Sequence, residues 1–463
     1  MLNFHVKIGL IPIRRDCTPR PGAFNWEVAE ERGRSIVKYI KEHYSSENVS
    51  FTDLKGVNDV ECLFSENDVE AVVNKMRAEK VDGIVIINAN FGNEEVAALV
   101  TKELGLPVLL WAPLDTSYEP NGVRFTDSQC GVFGVSRQLQ RNNIPFTYVE
   151  CCSVDHEIFA RGIDRFSRVV CMVKNFRGMR ILQVGLRPKP FSSVIFNEGE
   201  LMQRFGIRCI PLSMAQLASR YNKILLEYDD ELEKGAELLR SRYELDSVTE
   251  GKLKKIYAFV ILYKNLTEEF GVQAISAECW SSIELAVDAM PCIAYGILAD
   301  MGYIVSCEAD MHGAITMALL ACASFGKNPS FFGEFTVRHP EDRSAELLWH
   351  CGQFAYSLKK PGVTAKTVTQ RHWFEIKNST YTLARMDQDD GKYMLLAGTC
   401  KSTEGPETNG TYLWAHFDNL DAWERKLIEG PYIHHMAEVE GDYTEELAEF
   451  CKFIPNLTLD TVK

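Results

Sequence analysis

The chain has 463 residues, 46% hydrophobic and 25% charged, an ordinary balance for a globular protein with room for two or three cores. Its 64 acidic residues against 50 basic ones give a formal charge of −14, and no Lys/Arg stripe offsets it, which argues against a nucleic-acid backbone as partner. No segment is long enough to span a bilayer, and MLNFHVKIGLIPIRRD is too short and interrupted for a signal peptide. The 14 cysteines are scattered, mostly in apolar runs, with no CxxC pair, so reduced thiols in the cytoplasm are expected.

In chain order, residues 6–13, 83–90 and 107–113 are apolar, β-branched runs of strand length. Between them lie amphipathic helices. Ser65 is placed to cap one, followed by Val69, Val72, Val73 and Met76 at helical spacing; a second begins near Glu94. The pattern restarts near residue 180 with RILQVG, RCIPLS and AISAECW as buried strands, and 227–270 reads as long, charged and helical. After about 335 come HWFEI, TYTLARM, KYMLLAGT and TYLWAHF, short strands with an Asp389-Asp390-Gly391 hairpin turn. Helices over 419–429 and 443–453 are expected to close the chain. The predicted fold is α/β: two Rossmann-like parallel α/β domains, then a smaller antiparallel β-barrel. The predicted domains are 1–155, 156–335 carrying Glu308 and Glu334, and 336–463.

Motifs for a P-loop, a dinucleotide fingerprint, a zincin or a serine hydrolase are absent. What stands out is polar chemistry in apolar settings. In VSCEADMHGAITMALLACASFG, Glu308 and Asp310 sit where a strand gives way to a helix apolar nearly all round. Glu334 follows two phenylalanines and a glycine in FFGEF, His350 lies in LLWHCG, and His434 and His435 stand in tandem in GPYIHHM. Each has a plain reading: a cap or ion-pair carboxylate, a core histidine, an exposed histidine pair in a loop. Asp310 and His312 also read as local partners at a helix start. Two carboxylates and two imidazoles together suit one divalent cation such as Mn²⁺, Co²⁺, Fe²⁺ or Zn²⁺.

At these residues the chain resembles the L-fucose isomerase/L-arabinose isomerase superfamily. CEADMHG is similar to the segment carrying the first catalytic glutamate, and FFGEF to the one carrying the second metal-binding carboxylate. Trp349-His350-Cys351-Gly352 is similar to the segment with a metal-ligand histidine, and HHM places His435, rather than His434, at the other ligand position. A tryptophan the family carries in its first domain is matched only by Phe91. The resemblance implies an aldose–ketose isomerase that moves a proton between C1 and C2 of a free monosaccharide through an enediolate. It implies a divalent metal, Mn²⁺ foremost, held by Glu308, Glu334, His350 and His435, with Glu308 and Glu334 as the acid/base pair. It also implies a homo-oligomer, trimer or hexamer, with active sites between subunits.

Arg14, Arg15 and Arg20, after the first strand, read either as substrate contacts or as solvated loop arginines. Arg187 and Lys189 in LRPKPF either read an anionic group at C6 or are simply exposed, and Phe91 and His434 are further substrate-side candidates. Trp280, Trp373 and Trp414 suit stacking on a sugar face or a place in the core. L-fucose, L-arabinose and a 6-substituted aldose such as sulfoquinovose are the candidate sugars. The competing functions are a non-catalytic sugar-binding protein, and an epimerase or lyase using the same metal site.

Overall fold

The computed structural model describes residues 1–17, 24–116, 124–280 and 282–462. The first sheet comprises β1 (Val6–Ile13), β2 (Val49–Thr52), β3 (Gly83–Asn88), β4 (Val108–Pro113) and β5 (Thr147–Cys152). All pairings are parallel, in the order β2-β1-β3-β4-β5. Every residue of β3 and β4 is buried, as GIVIIN and VLLWAP require when helices cover both faces of a parallel sheet. Ser65 accepts a hydrogen bond from the Asn67 N–H and opens a turn leading into the helix Val69–Ala78, which buries Val72, Val73 and Met76. The helix Glu157–Phe176 packs on this same sheet: Phe159 meets Trp111 with ring centroids 4.2 Å apart, and Gly162 leaves no room for a side chain against Val149. It therefore groups with residues Phe4–Lys174 and Ala448–Phe453, one of two compact units.

The other unit spans Met1–Asn3, Asn175–Leu447 and Ile454–Lys463. Its parallel sheet has β6 (Arg180–Val184), β7 (Arg208–Leu212), β8 (Ala274–Ala277) and β9 (Val305–Ser306), ordered β7-β6-β8-β9. The stretch read as one long helical region divides into helices Asp229–Arg242, Ser247–Glu250 and Leu253–Phe270.

The third sheet contains β10 (Phe331–Arg338), β11 (Ala345–His350), β12 (Lys366–Val368), β13 (Arg371–Glu375), β14 (Thr380–Asp389), β15 (Lys392–Ser402), β16 (Thr411–His416), β17 (His435–Glu440) and β18 (Leu457–Thr461). Six of these, β16-β11-β10-β17-β14-β15, pair antiparallel and close into a barrel through β15 and β16, which removes both free edges of those six. The hairpin β12–β13 joins β16 through β13, and β18 lies parallel to β15. Asp390 and Gly391 both have positive φ (46° and 73°) between the paired Asp389 and Lys392, the tight turn that Asp-Gly favours.

Three local expectations change. Glu334 lies on β10, a barrel strand, not on the second parallel sheet; FFGEFTVR forms one strand whose Phe331 and Phe332 are buried. His435 opens β17 rather than standing in an exposed loop, because HMAEVE is drawn between β10 and β14 despite its two glutamates. The helices Leu420–Glu429 and Thr444–Lys452 do not close the chain, since β18 follows and completes the edge of β15.

The helix Met311–Ala323 is buried at every position and packs against β14 and β17 as well as β8 and β9. Gly313 brings its backbone against Phe332, where a Cβ would collide with the ring. This helix start thus sits between the parallel sheet and the barrel, where the site forms. Among the described residues, no helix is long and apolar enough to cross a membrane.

Candidate metal centre

β9 ends at Ser306, and the chain must turn sharply to enter the helix at Met311. Glu308 and Ala309 both take left-handed backbone conformations (φ 60° and 54°), which cost non-glycine residues roughly 1–3 kcal/mol each. Backbone bonds hold the turn: Ala309 N–H donates to Ala277 O at 2.9 Å and Asp310 N–H to Cys307 O at 3.1 Å. The Ser306 hydroxyl donates to Asp310 O at 2.7 Å, and Asp310 Oδ1 caps the helix by accepting from Gly313 N–H at 2.9 Å. The strained turn fixes the Glu308 side chain.

The barrel brings the other groups. Glu334 on β10 is directly opposite His435 on β17, and its other neighbour is Trp349, next to His350 at the end of β11. Opposite residues on paired strands have their side chains within contact distance. His435 Nε2 lies 3.1 Å from Glu308 Oε2 and 3.8 Å from Glu334 Oε1, and His350 Nε2 lies 3.6 Å from Glu334 Oε1. Ligand atoms of Glu308, Glu334 and His350 fall within 4.8 Å of one another, as do those of Glu334, His434 and His435.

Glu308 Oε2, His350 Nε2 and His435 Nε2 are buried and have no aligned hydrogen-bond partner among the described residues. Three such atoms, one carboxylate oxygen and two imidazole nitrogens, are what a cation would satisfy through their lone pairs at bonds of about 2.0–2.2 Å. On that observation the residues present fit a borderline divalent metal.

A buried polar network backs the candidate ligands. His435 Nδ1 meets Asp310 Oδ2 at 2.9 Å, and Asp310 pairs in turn with Arg385 on β14. Arg385 Nε and Nη2 donate to Asp387 Oδ2 at 3.0 and 2.9 Å, and Asp387 Oδ1 meets His312 Nδ1 at 3.1 Å. All these groups are buried. With Nδ1 directed at Asp310, Nε2 is the nitrogen of His435 that would hold a cation once its proton leaves. At His350, Nδ1 accepts from the Cys351 N–H at 2.9 Å and lies 3.5 Å from the Cys351 thiol. That bond leaves Nδ1 unprotonated, so holding a cation at Nε2 would require the two ring nitrogens to exchange their proton roles.

The two glutamates differ. Burial disfavours the Glu308 carboxylate, yet contact with His435, the nearby His350 and a 2.9 Å hydrogen bond from Trp280 Nε1 outweigh it and hold Glu308 below the usual range. Burial pushes Glu334 up to about 7; the charge of His435 opposes this and that of Glu308 adds to it. Burial would lower His435, but Asp310 and Glu308 together raise it to about 9. Burial and its charged neighbour His435 take His434 down to about 4. Unequal environments for two adjacent carboxyls are a usual mark of an acid/base site.

A cavity of about 360 Å³ opens onto the cluster, lined by Glu308 and Glu334 and by Phe191, Trp280, Trp349, Arg371 and Trp373. Its size falls near the lower end of small-molecule sites. Trp280, expected as a stacking or core residue, is a hydrogen-bond donor to Glu308, and Trp373 faces the cavity. Trp414 is buried and donates to Pro406 O at 2.8 Å.

Arg187 and Lys189 lie elsewhere, on a second cavity of about 950 Å³ beside Ser213 and Glu278. Arg187 donates to the carbonyls of Pro188 and Lys189 in its own loop. In the first compact unit, buried Arg14 is bound to Glu30 at 2.8 Å and stacks on Phe64 and Trp26, which accounts for its charge. Arg15 lies over Phe91 and 4.0 Å from Glu94. Arg20 is outside the described residues. Sequence reasoning passed over Arg385, Asp387 and Arg371; the only signal for the first was an arginine in the short run between Leu383-Ala384 and Met386.

Residues 9–177 match the family model described as the N-terminal domain of fucose/sulfoquinovose isomerase. The chain is similar to the sulfoquinovose isomerase of Priestia aryabhattai, 23% identical over 441 residues that cover 93% of this chain and 95% of the relative. The sulfoquinovose isomerase of Alkalicoccus urumqiensis is 23% identical over 400 residues, 84% and 88% of the two chains. A solved periplasmic solute binding protein from Actinobacillus succinogenes 130z with bound D-allose is 13% identical. It covers 69% of this chain and 92% of that one at a TM-score of 0.15, too low to bear on fold or function.

Proposed function

Because the chain belongs to the fucose isomerase-like superfamily, we propose that it is a metal-dependent aldose–ketose isomerase in which Glu308, Glu334, His350 and His435 hold one divalent cation. The observation that carries this reading is the convergence of these four side chains, with three buried ligand atoms that lack an aligned hydrogen bond among the described residues. A bound cation, Mn²⁺ first among Co²⁺, Fe²⁺ and Zn²⁺, supplies Lewis-acid stabilisation of the charge that develops on O1 and O2 of the sugar.

The protein's own groups do the rest. Glu308 is anchored through Trp280 on one oxygen and faces His435 with the other. Glu334 makes only the longer contacts, at 3.6 and 3.8 Å, and is the freer of the two. We assign Glu334 as the group that carries the proton between C1 and C2 and Glu308 as the fixed carboxylate that orients the hydroxyls. General acid–base help of this kind gives roughly 10²–10⁴-fold. Phe191, Trp280, Trp349 and Trp373 wall the cavity and exclude water from the reacting carbons.

The names of the relatives support a 6-sulfonated aldose of the sulfoquinovose type as substrate, with L-fucose and L-arabinose as neutral alternatives. We place the enzyme in the cytoplasm, in keeping with its 14 free thiols, as a trimer or hexamer. In it, Arg15 and Phe91 would serve the site of an adjoining subunit.

The test is an aldose panel read out as ketose, on protein stripped by a chelator and then reloaded. Activity should vanish on stripping and return with metal, and Glu308→Gln should lose at least ~100-fold. Full turnover in stripped protein or in Glu308→Gln would contradict the reading. Proton exchange at C2 without ketose would assign an epimerase instead.

A further inference from the structure

The cavity over the metal cluster contains a cation that the isomerisation chemistry does not use. Arg371 lines it together with Glu308 and Glu334. Among the described residues its Nε is buried without a hydrogen-bond partner, and it pairs with none of their carboxylates. A guanidinium left with an unsatisfied buried donor costs free energy unless something arrives to accept from it.

Its position is set by a strained device. Arg371 is the first residue of β13 and pairs with Val368 of β12, so the hairpin has only Thr369 and Gln370 at its tip. Both have positive φ (49° and 67°), the geometry of a two-residue turn that ordinarily takes Asn-Gly. Two such residues without glycine cost roughly 1–3 kcal/mol each and persist only where surroundings impose them. Here three hydrogen bonds do so. Thr369 N–H donates to Asp246 Oδ2 at 3.0 Å, Gln370 N–H to Thr249 Oγ1 at 2.9 Å, and Met290 N–H to Gln370 Oε1 at 3.0 Å. The alternation along β13 buries His372 and Phe374 and turns Arg371 and Trp373 to the cavity. The arginine is thus held rigidly at the wall of a small cavity whose other charged groups are committed to the cation.

We propose that Arg371 is the specificity residue of this site: it accepts a tetrahedral oxyanion, sulfonate or phosphate, on the sugar carbon remote from C1–C2. The proposal rests on the isomerase reading for the identity of the sugar, and it moves anion recognition from Arg187 and Lys189 to Arg371. The planar fork of arginine matches such an oxyanion with two parallel hydrogen bonds, and burial strengthens both.

The experiment uses the metal-loaded full chain. First, kcat/KM is measured for 6-sulfonated glucose, glucose 6-phosphate and glucose in wild type, Arg371→Met, Arg371→Lys and the double variant Arg187→Met/Lys189→Met. The expected result is a fall of roughly 10- to 100-fold in the anionic-to-neutral ratio for Arg371→Met, a smaller fall for Arg371→Lys, and none for the double variant. Whichever anion shows the larger ratio in wild type identifies the source. Second, calorimetry compares the non-isomerisable alditols of glucose and of its 6-sulfonated form, with the same loss expected in Arg371→Met. Equal losses on anionic and neutral ligands, or a collapse of the ratio in the double variant alone, would overturn the proposal. If no aldose is converted by wild type, the isomerase reading fails, and the calorimetric difference still decides the role of Arg371.

Discussion

His435 presents Nδ1 to Asp310 at 2.9 Å and Nε2 to Glu308 at 3.1 Å, so one imidazole joins the helix cap at 310 to the candidate ligand at 308. Asp310 therefore has two duties: Oδ1 caps the helix and Oδ2 orients the histidine.

Those duties separate in Asp310→Asn. An amide oxygen still caps the helix, but the charge behind His435 is lost, which lowers the basicity of Nε2 and loosens its orientation. Metal affinity should fall about 10- to 100-fold, read by competitive titration against a chelating dye. Unchanged affinity would remove Asp310 from the support of the site.

Arg385 lies fully buried between Asp310 and Asp387. Replacing it with methionine leaves two buried carboxylates facing each other without their cation. The loss in unfolding free energy should be about 3–5 kcal/mol, measured by denaturant titration. A loss under 1 kcal/mol would mean the pair contributes little to the fold.

Glu438, on β17, is fully buried, and neither carboxyl oxygen has a hydrogen-bond partner among the described residues. Burial raises its pKa well above 4.5. A raised folded-state value means that the folded chain keeps a proton which the unfolded chain releases. Its contribution is complete below pH 4.5 and is lost as pH rises toward the folded value, at up to about 1.4 kcal/mol per pH unit. In Glu438→Gln that slope should disappear, and the variant should be more stable than wild type at pH 8. Parallel stability curves for the two proteins from pH 5 to 8 would refute this.

The sequence was most legible where local pattern and fold agree. β1, β3 and β4 are apolar, β1 but for Lys7, because both faces of a parallel sheet are covered, and the cap at Ser65 and the turn at Asp390-Gly391 are local chemistry. β17 was hidden because HMAEVE carries two glutamates in a strand paired on both sides, and β18 because LTLDT is short and polar. Glu308, Glu334, His350 and His435 drew notice as polar residues in apolar settings. Arg385 and Arg371 did not, since nothing near them in sequence announces Asp310, 75 positions away, or the hairpin strain set by Asp246 and Thr249.

The most direct test of the central claim is X-ray absorption at the metal edge of the loaded protein, with metal stoichiometry by mass spectrometry. The account predicts one divalent ion per chain, coordinated by two imidazoles and two carboxylates, with one imidazole lost in His435→Ala and one in His350→Ala. An ion whose coordination is the same in both variants, or a fully active protein that binds none, would contradict it.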